Sequence, residues 1–210
     1  GDGLSSLTLA KALVNQNIHV DVVSQKKNKH FSQSRTLGLS KNNINFFNKD
    51  IINIDKLIWK LKKIEIYTDN LKNKKLLNFE NDDQLFSIIQ SHKIYQLIEK
   101  NLSKNKLFKK KIFNNQNTFL IDNYNLIINC DYLHPFTKKY FSKKIIKKYN
   151  SFAYITIIKH EKIINNIATQ IFTKKGPLAF LPISENETSI VYSIYGSSEK
   201  KRENIEELIK

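Results

Sequence analysis

Cysteine, proline and glycine are scarce in this chain, with one, three and five residues among 210. Cys130 stands alone, which excludes an internal disulfide and suits a reducing, cytoplasmic setting. No Pro/Gly-rich linker marks off a domain, and no internal repeat is found. No apolar run reaches the roughly 18 residues of a membrane-spanning helix, and no charged-then-apolar leader opens the chain. Arginine is almost absent: of 35 basic residues only Arg35 and Arg202 are arginine, although the formal charge is +16. Specific readers of nucleic acid lean on arginine for bidentate contacts. The lysines are instead scattered among Asn and Ile and read as solvated surface. No nucleic-acid partner is therefore expected, and weak attraction to anionic lipid headgroups is the charge-based alternative. The five histidines (19, 30, 92, 134 and 160) include none paired with another His or Cys at ligand spacing, so no metal site is expected. A G-x-S-x-G elbow, a P-loop lysine and a Cys/His pair are missing too. No side chain is assigned as catalytic. If the protein is an enzyme, a bound cofactor supplies its reactivity.

What is present supports a folded α/β protein, with 40% hydrophobic and 11% aromatic residues. Residues 1–13 read as a glycine loop entering an apolar-periodic helix, and Ile18 to Val23 as a strand ending at Ser24-Gln25. Lys41 to Asn48 and Asp55 to Leu61, the latter carrying Trp59, are expected as short helices. Ile64 to Tyr67 alternates as a strand, with Leu76 to Phe79 as its hairpin partner. Ile88 to Leu102 reads as a helix, and Asn117 to Ile121 as a strand. The apolar run Tyr124 to Asn129 reads as a buried parallel strand. The last sixty residues turn β-rich, at Phe152 to Lys159, Ala168 to Phe172, Leu178 to Ile183 and Ser189 to Tyr195. These are expected to form an antiparallel sheet, interleaved with the α/β part.

The opening loop is the strongest chemical signal. Gly1-Asp2-Gly3-Leu4-Ser5-Ser6 precedes a helix whose first turn offers unpaired N–H groups and a partial positive charge, the arrangement that holds a dinucleotide diphosphate. Ser6 stands at the third glycine of G-x-G-x-x-G. Ser24 stands where a carboxylate usually binds the ribose hydroxyls. On these residues alone, a nucleotide site and a plain glycine turn both remain open. The strand that should precede Gly1 is absent, so a fragment truncated at both ends is expected.

Four segments, in order, resemble the flavin-dependent aromatic monooxygenases of ubiquinone biosynthesis, the UbiH-type hydroxylases. The first is Gly1 to Ala10. The second is Ser34-Arg35-Thr36-Leu37-Gly38-Leu39-Ser40, similar to the family's D-x-R-x-x-A-L-S. The third is Leu126 to Asp131, at the place of its A-D-G-x-x-S-x-x-R motif. There Tyr132 replaces a glycine and His134-Pro135 replace Asn-Ser. The fourth comprises His160-Glu161, Ala168 to Phe172 and Gly176 to Pro182, and is the most specific to the ubiquinone branch. The similarity covers essentially the whole chain but about the first half of a full-length member, whose Gly-Asp flavin element belongs beyond Lys210.

The resemblance implies a Rossmann-like FAD-binding domain interleaved with an antiparallel β-sheet substrate domain, as in p-hydroxybenzoate hydroxylase. The expected FAD-binding parts are 1–63 and 88–150, and the expected substrate-domain parts 64–87 and 151–199, before a helix starting at 200–210. It implies hydroxylation of a lipophilic, polyprenylated phenol using FAD, NAD(P)H and O₂. By position, Gly1, Gly3, Leu4, Ser5 and Ser6 would face the diphosphate and Ser24 the ribose. Arg35 and Asp131 would contact the cofactor, and Gly176 and Pro177 would lie on the substrate side. Expected partners are the phenol, quinone-synthesis proteins and the inner face of a membrane. The replaced glycines point to an alternative: a degenerate relative serving as a scaffold in a quinone-synthesis assembly.

Overall fold

The computed structural model describes residues 1–25, 32–69, 74–113, 124–131, 135–140, 145, 147 and 149–195. The expected strand at 117–121, the helix at 200–210, Tyr132 and His134 lie outside them. The chain divides into two compact units. One comprises Gly1–Lys62 and Asn81–Ile145, the other Lys63–Glu80 and Ile146–Lys210.

The first unit opens with helix α1 (Leu4–Asn15), which buries Leu7, Ala10 and Val14 at helical spacing. The helix stops where Asn17 takes a left-handed φ of 61°, a conformation asparagine tolerates better than most residues. Strand β1 (Val20–Gln25) follows and pairs in parallel with β7 (Phe108–Phe113), Val22 opposite Lys110 and Ser24 opposite Ile112. Strands β2 (Thr36–Leu39), β3 (Ile58–Leu61) and β6 (Phe86–Gln90) form an antiparallel sheet in the order β2-β6-β3. Helix α2 (Lys41–Phe46) starts on Ser40, whose side chain accepts a hydrogen bond from Asn43 N, and a π-turn over Phe47–Ile51 extends it. Helix α3 (Ser91–Leu102) buries Ile94, Tyr95, Ile98 and Leu102 against Leu7, Ala10 and Val14 of α1, and this is the centre of the unit's core. A short helix α4 (Pro135–Tyr140) closes the described part.

Three sequence expectations are corrected here. Residues 58–61 are strand β3 rather than helix, because Trp59 lies opposite Ile88 in a ladder that a four-residue segment can satisfy and a lone helical turn cannot. The helix expected from Ile88 begins only at Ser91. Phe86–Gln90 is a central strand, paired on both sides, with Ser87 to Gln90 buried and Phe86 half-buried. The run Tyr124 to Asn129 is not a buried strand: it is irregular, and Leu126 and Ile128 are 73% and 49% exposed. What holds it is polar. The Tyr124 hydroxyl donates to Asp21 Oδ2 of β1 at 2.7 Å.

The second unit is one six-stranded sheet, in the order β5-β4-β9-β10-β11-β8. Its strands are β4 (Lys63–Thr68), β5 (Lys75–Glu80), β8 (Ser151–Lys159), β9 (Ile167–Thr173), β10 (Gly176–Pro182) and β11 (Glu187–Tyr195). The expected β4–β5 hairpin forms, with Ile64 opposite Phe79. The sheet is mixed, not purely antiparallel. The inserted β4 runs parallel to β9, Glu65 opposite Thr169, because it enters from a distant part of the chain and needs no tight turn. Residues 81–87, placed in the insertion by sequence, belong to the first unit, where β6 anchors them.

Candidate functional site

The site is built at the mouth of α1. Gly3 is the N-cap, extended at φ −70° and ψ 175°, with no side-chain cap and no acidic residue in the first turn. The Gly3 carbonyl accepts the Leu7 N–H at 3.0 Å. The N–H groups of Leu4, Ser5 and Ser6 precede that bond and have no partner within the helix. Leu4 packs on the core, Ser5 is exposed and Ser6 is half-buried. Among the described residues, a Cβ built on Gly3 would meet nothing within 4 Å, so they leave the space over this turn open.

Gly1 brings the third resembling segment into the same place. A Cβ on Gly1 would lie 3.1 Å from Cβ of Asp131, so the loop and the 126–131 segment touch. Asp131 is half-buried and held by an Asx-type turn. Its N–H donates to Asn129 Oδ1 at 3.0 Å, and Thr137 Oγ1 of α4 donates to its carbonyl at 3.2 Å. Ser24 is buried near the end of β1, 7% exposed, and presents a neutral hydroxyl at the position where dinucleotide folds usually carry a ribose-binding carboxylate. Arg35 is exposed just before β2, and its carbonyl accepts the Ser91 N–H at 2.9 Å, which joins it to the first residue of α3. At that helix start two buried polar atoms, Ser91 Oγ and His92 Nδ1, have no hydrogen-bond partner among the described residues. Burial, helped by repulsion from Lys93, holds the His92 imidazole below its usual range.

Gly176 and Pro177 lie in the second unit, and a local structural reason accounts for the glycine. Gly176 has φ 138°, and a Cβ there would sit 1.9 Å from the Ser193 carbonyl oxygen. In the same unit the His160 ring, part of the fourth resembling segment, bridges Glu161 O at 2.7 Å and Thr188 Oγ1 at 3.0 Å. It pins the loop between β8 and β9. Asn165, 9% exposed, completes that pin by donating to Ser184 O at 2.8 Å and Thr188 Oγ1 at 3.0 Å.

Sequence reasoning missed the lysines of β7. Lys110 Nζ lies 2.6 Å from Glu99 Oε1 and 3.4 Å from Oδ2 of Asp2, the residue between the two loop glycines. Lys111, on the opposite face of the strand, pairs with Asp21 at 2.5 Å and hydrogen-bonds the Tyr124 hydroxyl at 3.0 Å. Burial works to raise the Asp21 carboxyl, but hydrogen bonds from Lys111 and Tyr124 outweigh it and keep the group below its ordinary range. The same pair raises the Lys111 ammonium. The sequence signal was available: Lys109, Lys110 and Lys111 inside an apolar strand cannot all point into water. Among the described residues no cluster of His, Cys, Asp or Glu could hold a metal ion, and no helix is long and apolar enough to cross a membrane.

The residues around α1 fit a dinucleotide. The uncapped turn offers N–H groups, the space above Gly3 admits a ligand, and Asp131 flanks it. The fold is that of the FAD-dependent aromatic monooxygenases. PqsL of Pseudomonas aeruginosa, named a probable FAD-dependent monooxygenase, superposes with a TM-score of 0.74 at 14% identity over 99% of this chain and 61% of that one. HpxO of Klebsiella pneumoniae, solved with FAD and uric acid, gives 0.72 at 9% identity over 97% and 57%. The 2,6-dihydroxypyridine-3-hydroxylase of Arthrobacter nicotinovorans gives 0.67 at 13% identity over 96% and 56%. At such identities the likeness establishes the fold, and the chain spans about three-fifths of these proteins' length. No family model matches the chain, and no curated protein matches it.

Proposed function

We propose that this chain carries the nucleotide-binding and substrate-facing parts of an FAD-dependent monooxygenase that hydroxylates the ring of a polyprenylated ubiquinone precursor. One observation carries the cofactor half of this reading. Gly3 has a φ any residue adopts, and open space where a Cβ would stand, so neither backbone nor packing calls for glycine there. Close approach of a diphosphate to the loop does call for it. The N–H groups of Leu4, Ser5 and Ser6 bind that diphosphate, Ser24 hydrogen-bonds the ribose, and Asp131 and Arg35 hold other polar parts of the cofactor. When bound, FAD carries electrons from NAD(P)H to O₂ and oxygen to the ring. Gly176 and Pro177 shape the substrate side. The four resembling segments support the ubiquinone branch, and the lysine-rich surface suits work at an anionic membrane face.

The test is FAD titration of the intact protein, followed by quenching of flavin fluorescence. Gly3→Ala is expected to melt within about 2 °C of wild type while binding FAD at least about tenfold more weakly. Equal affinity in the two proteins refutes the site. Flavin-dependent NAD(P)H oxidation stimulated by a short prenylated phenol tests the substrate, and no stimulation refutes it. A second reading, a scaffold without flavin, is favoured by Ser24, buried and neutral where a ribose ligand is charged. That reading predicts no FAD binding by wild type.

A further inference from the structure

We infer that Lys110 is a positioning residue of the glycine loop: by drawing the Asp2 carboxylate to itself, it keeps the N-terminus of α1 available to a diphosphate. The inference rests on the flavin reading above. Asp2 lies between Gly1 and Gly3, one residue before the helix cap, with its side chain 7% exposed. A carboxylate at this place is attracted to the partial positive charge of the helix start. It therefore competes with any anionic ligand for the same N–H groups, and repels that ligand across a short distance.

Lys110 meets both problems. It projects from the middle of β7, opposite Val22 of β1, and its Nζ stands 3.4 Å from Asp2 Oδ2. Glu99 of α3 sets the direction of the lysine at 2.6 Å, and the Tyr95 hydroxyl donates to the same carboxylate oxygen at 3.2 Å. The Glu99 side chain is 38% exposed and solvated, so the cation matters far more to the buried Asp2 than to its nearer partner. Neighbouring lysines cannot substitute. Strand alternation sends Lys111 to the other face, where it pairs with Asp21.

The experiment is a double-mutant cycle on the intact protein, reading FAD dissociation constants by fluorescence and apoprotein melting by circular dichroism. Lys110→Met is expected to weaken FAD about tenfold and to lower the melting temperature. Lys110→Arg should keep both near wild type, and Asp2→Asn should bind at least as tightly as wild type. The decisive protein is Asp2→Asn/Lys110→Met, expected to regain wild-type affinity within about threefold and to recover most of the lost melting temperature. If the double variant stays as weak as Lys110→Met, the lysine acts by some route other than Asp2 and the inference is overturned. The same holds if Lys110→Met binds FAD like wild type. A wild-type protein that takes up no FAD overturns the flavin reading itself, and the ligand role of the pair falls with it.

Discussion

Gly176→Ala should unfold the second unit far more readily than its size suggests. Alanine at φ 138° is strained, at about 1–3 kcal/mol for such backbone. The new Cβ would sit 1.9 Å from the Ser193 carbonyl oxygen and 3.0 Å from its carbon. Both are backbone atoms of β11, so no rotamer change relieves the clash, and β10 must move away from its neighbour. That movement stretches the bond from Thr173 Oγ1 to the Gly176 carbonyl at 2.7 Å and the bond from Tyr195 N to the Lys175 carbonyl at 3.2 Å. Each such bond contributes about 0.5–1.5 kcal/mol. Strain, overpacking and weakened bonds together give a loss of about 3–5 kcal/mol, a large part of the roughly 5–15 kcal/mol of a whole domain. Equilibrium urea unfolding followed by far-ultraviolet circular dichroism measures it, with Gly3→Ala as the control whose Cβ meets nothing. A loss below about 1 kcal/mol, the centre of ordinary substitutions, refutes the argument from backbone geometry.

Two further outcomes are expected. Ile98→Ala empties a fully buried position between α3 and α1 and should cost about 2–5 kcal/mol in the same assay. Glu65 gives a pH signature. Hydrogen bonds from Lys75 and Tyr67 hold its carboxyl down to about 2 against an ordinary 4.5. A folded value below the unfolded one means the stabilisation is complete above pH 4.5 and is lost as pH falls from there toward 2. Glu65→Gln should therefore be less stable than wild type at neutral pH by roughly 1–3 kcal/mol, with the gap closing in acid. A gap independent of pH refutes the assignment.

Local patterning made much of this chain legible. The loop, helix and strand of residues 1–25 follow from glycine placement and from apolar spacing at Leu7, Ala10 and Val14. The β4–β5 hairpin follows from the alternation of Ile64 to Tyr67, and the four late strands from β-rich segments parted by polar turns. Two of the misreadings share a cause. Short segments such as Ile58–Leu61 and Phe86–Gln90 are too brief to fix a period of their own, and only their pairing partners decide between strand and helix. The run at Tyr124–Asn129 misled in the other direction, since a polar tether to Asp21, 103 residues away in sequence, overrides its hydrophobicity.

The sequence by itself determined the composition-level exclusions, the glycine loop at a helix start and the order of segments that resembles flavin hydroxylases, because each depends on residues close together in the chain. Only the tertiary structure decided which glycine serves the backbone and which has open space where its Cβ would stand. Gly176 is demanded by Ser193 across a strand pair, whereas no described residue demands a glycine at Gly3. It also decided that Lys110, one of a run of lysines, meets Asp2, since a strand's alternation and its parallel neighbour bring residues 108 positions apart within 3.4 Å. Such long-range contacts leave no periodic trace, so they become visible only once the chain has folded.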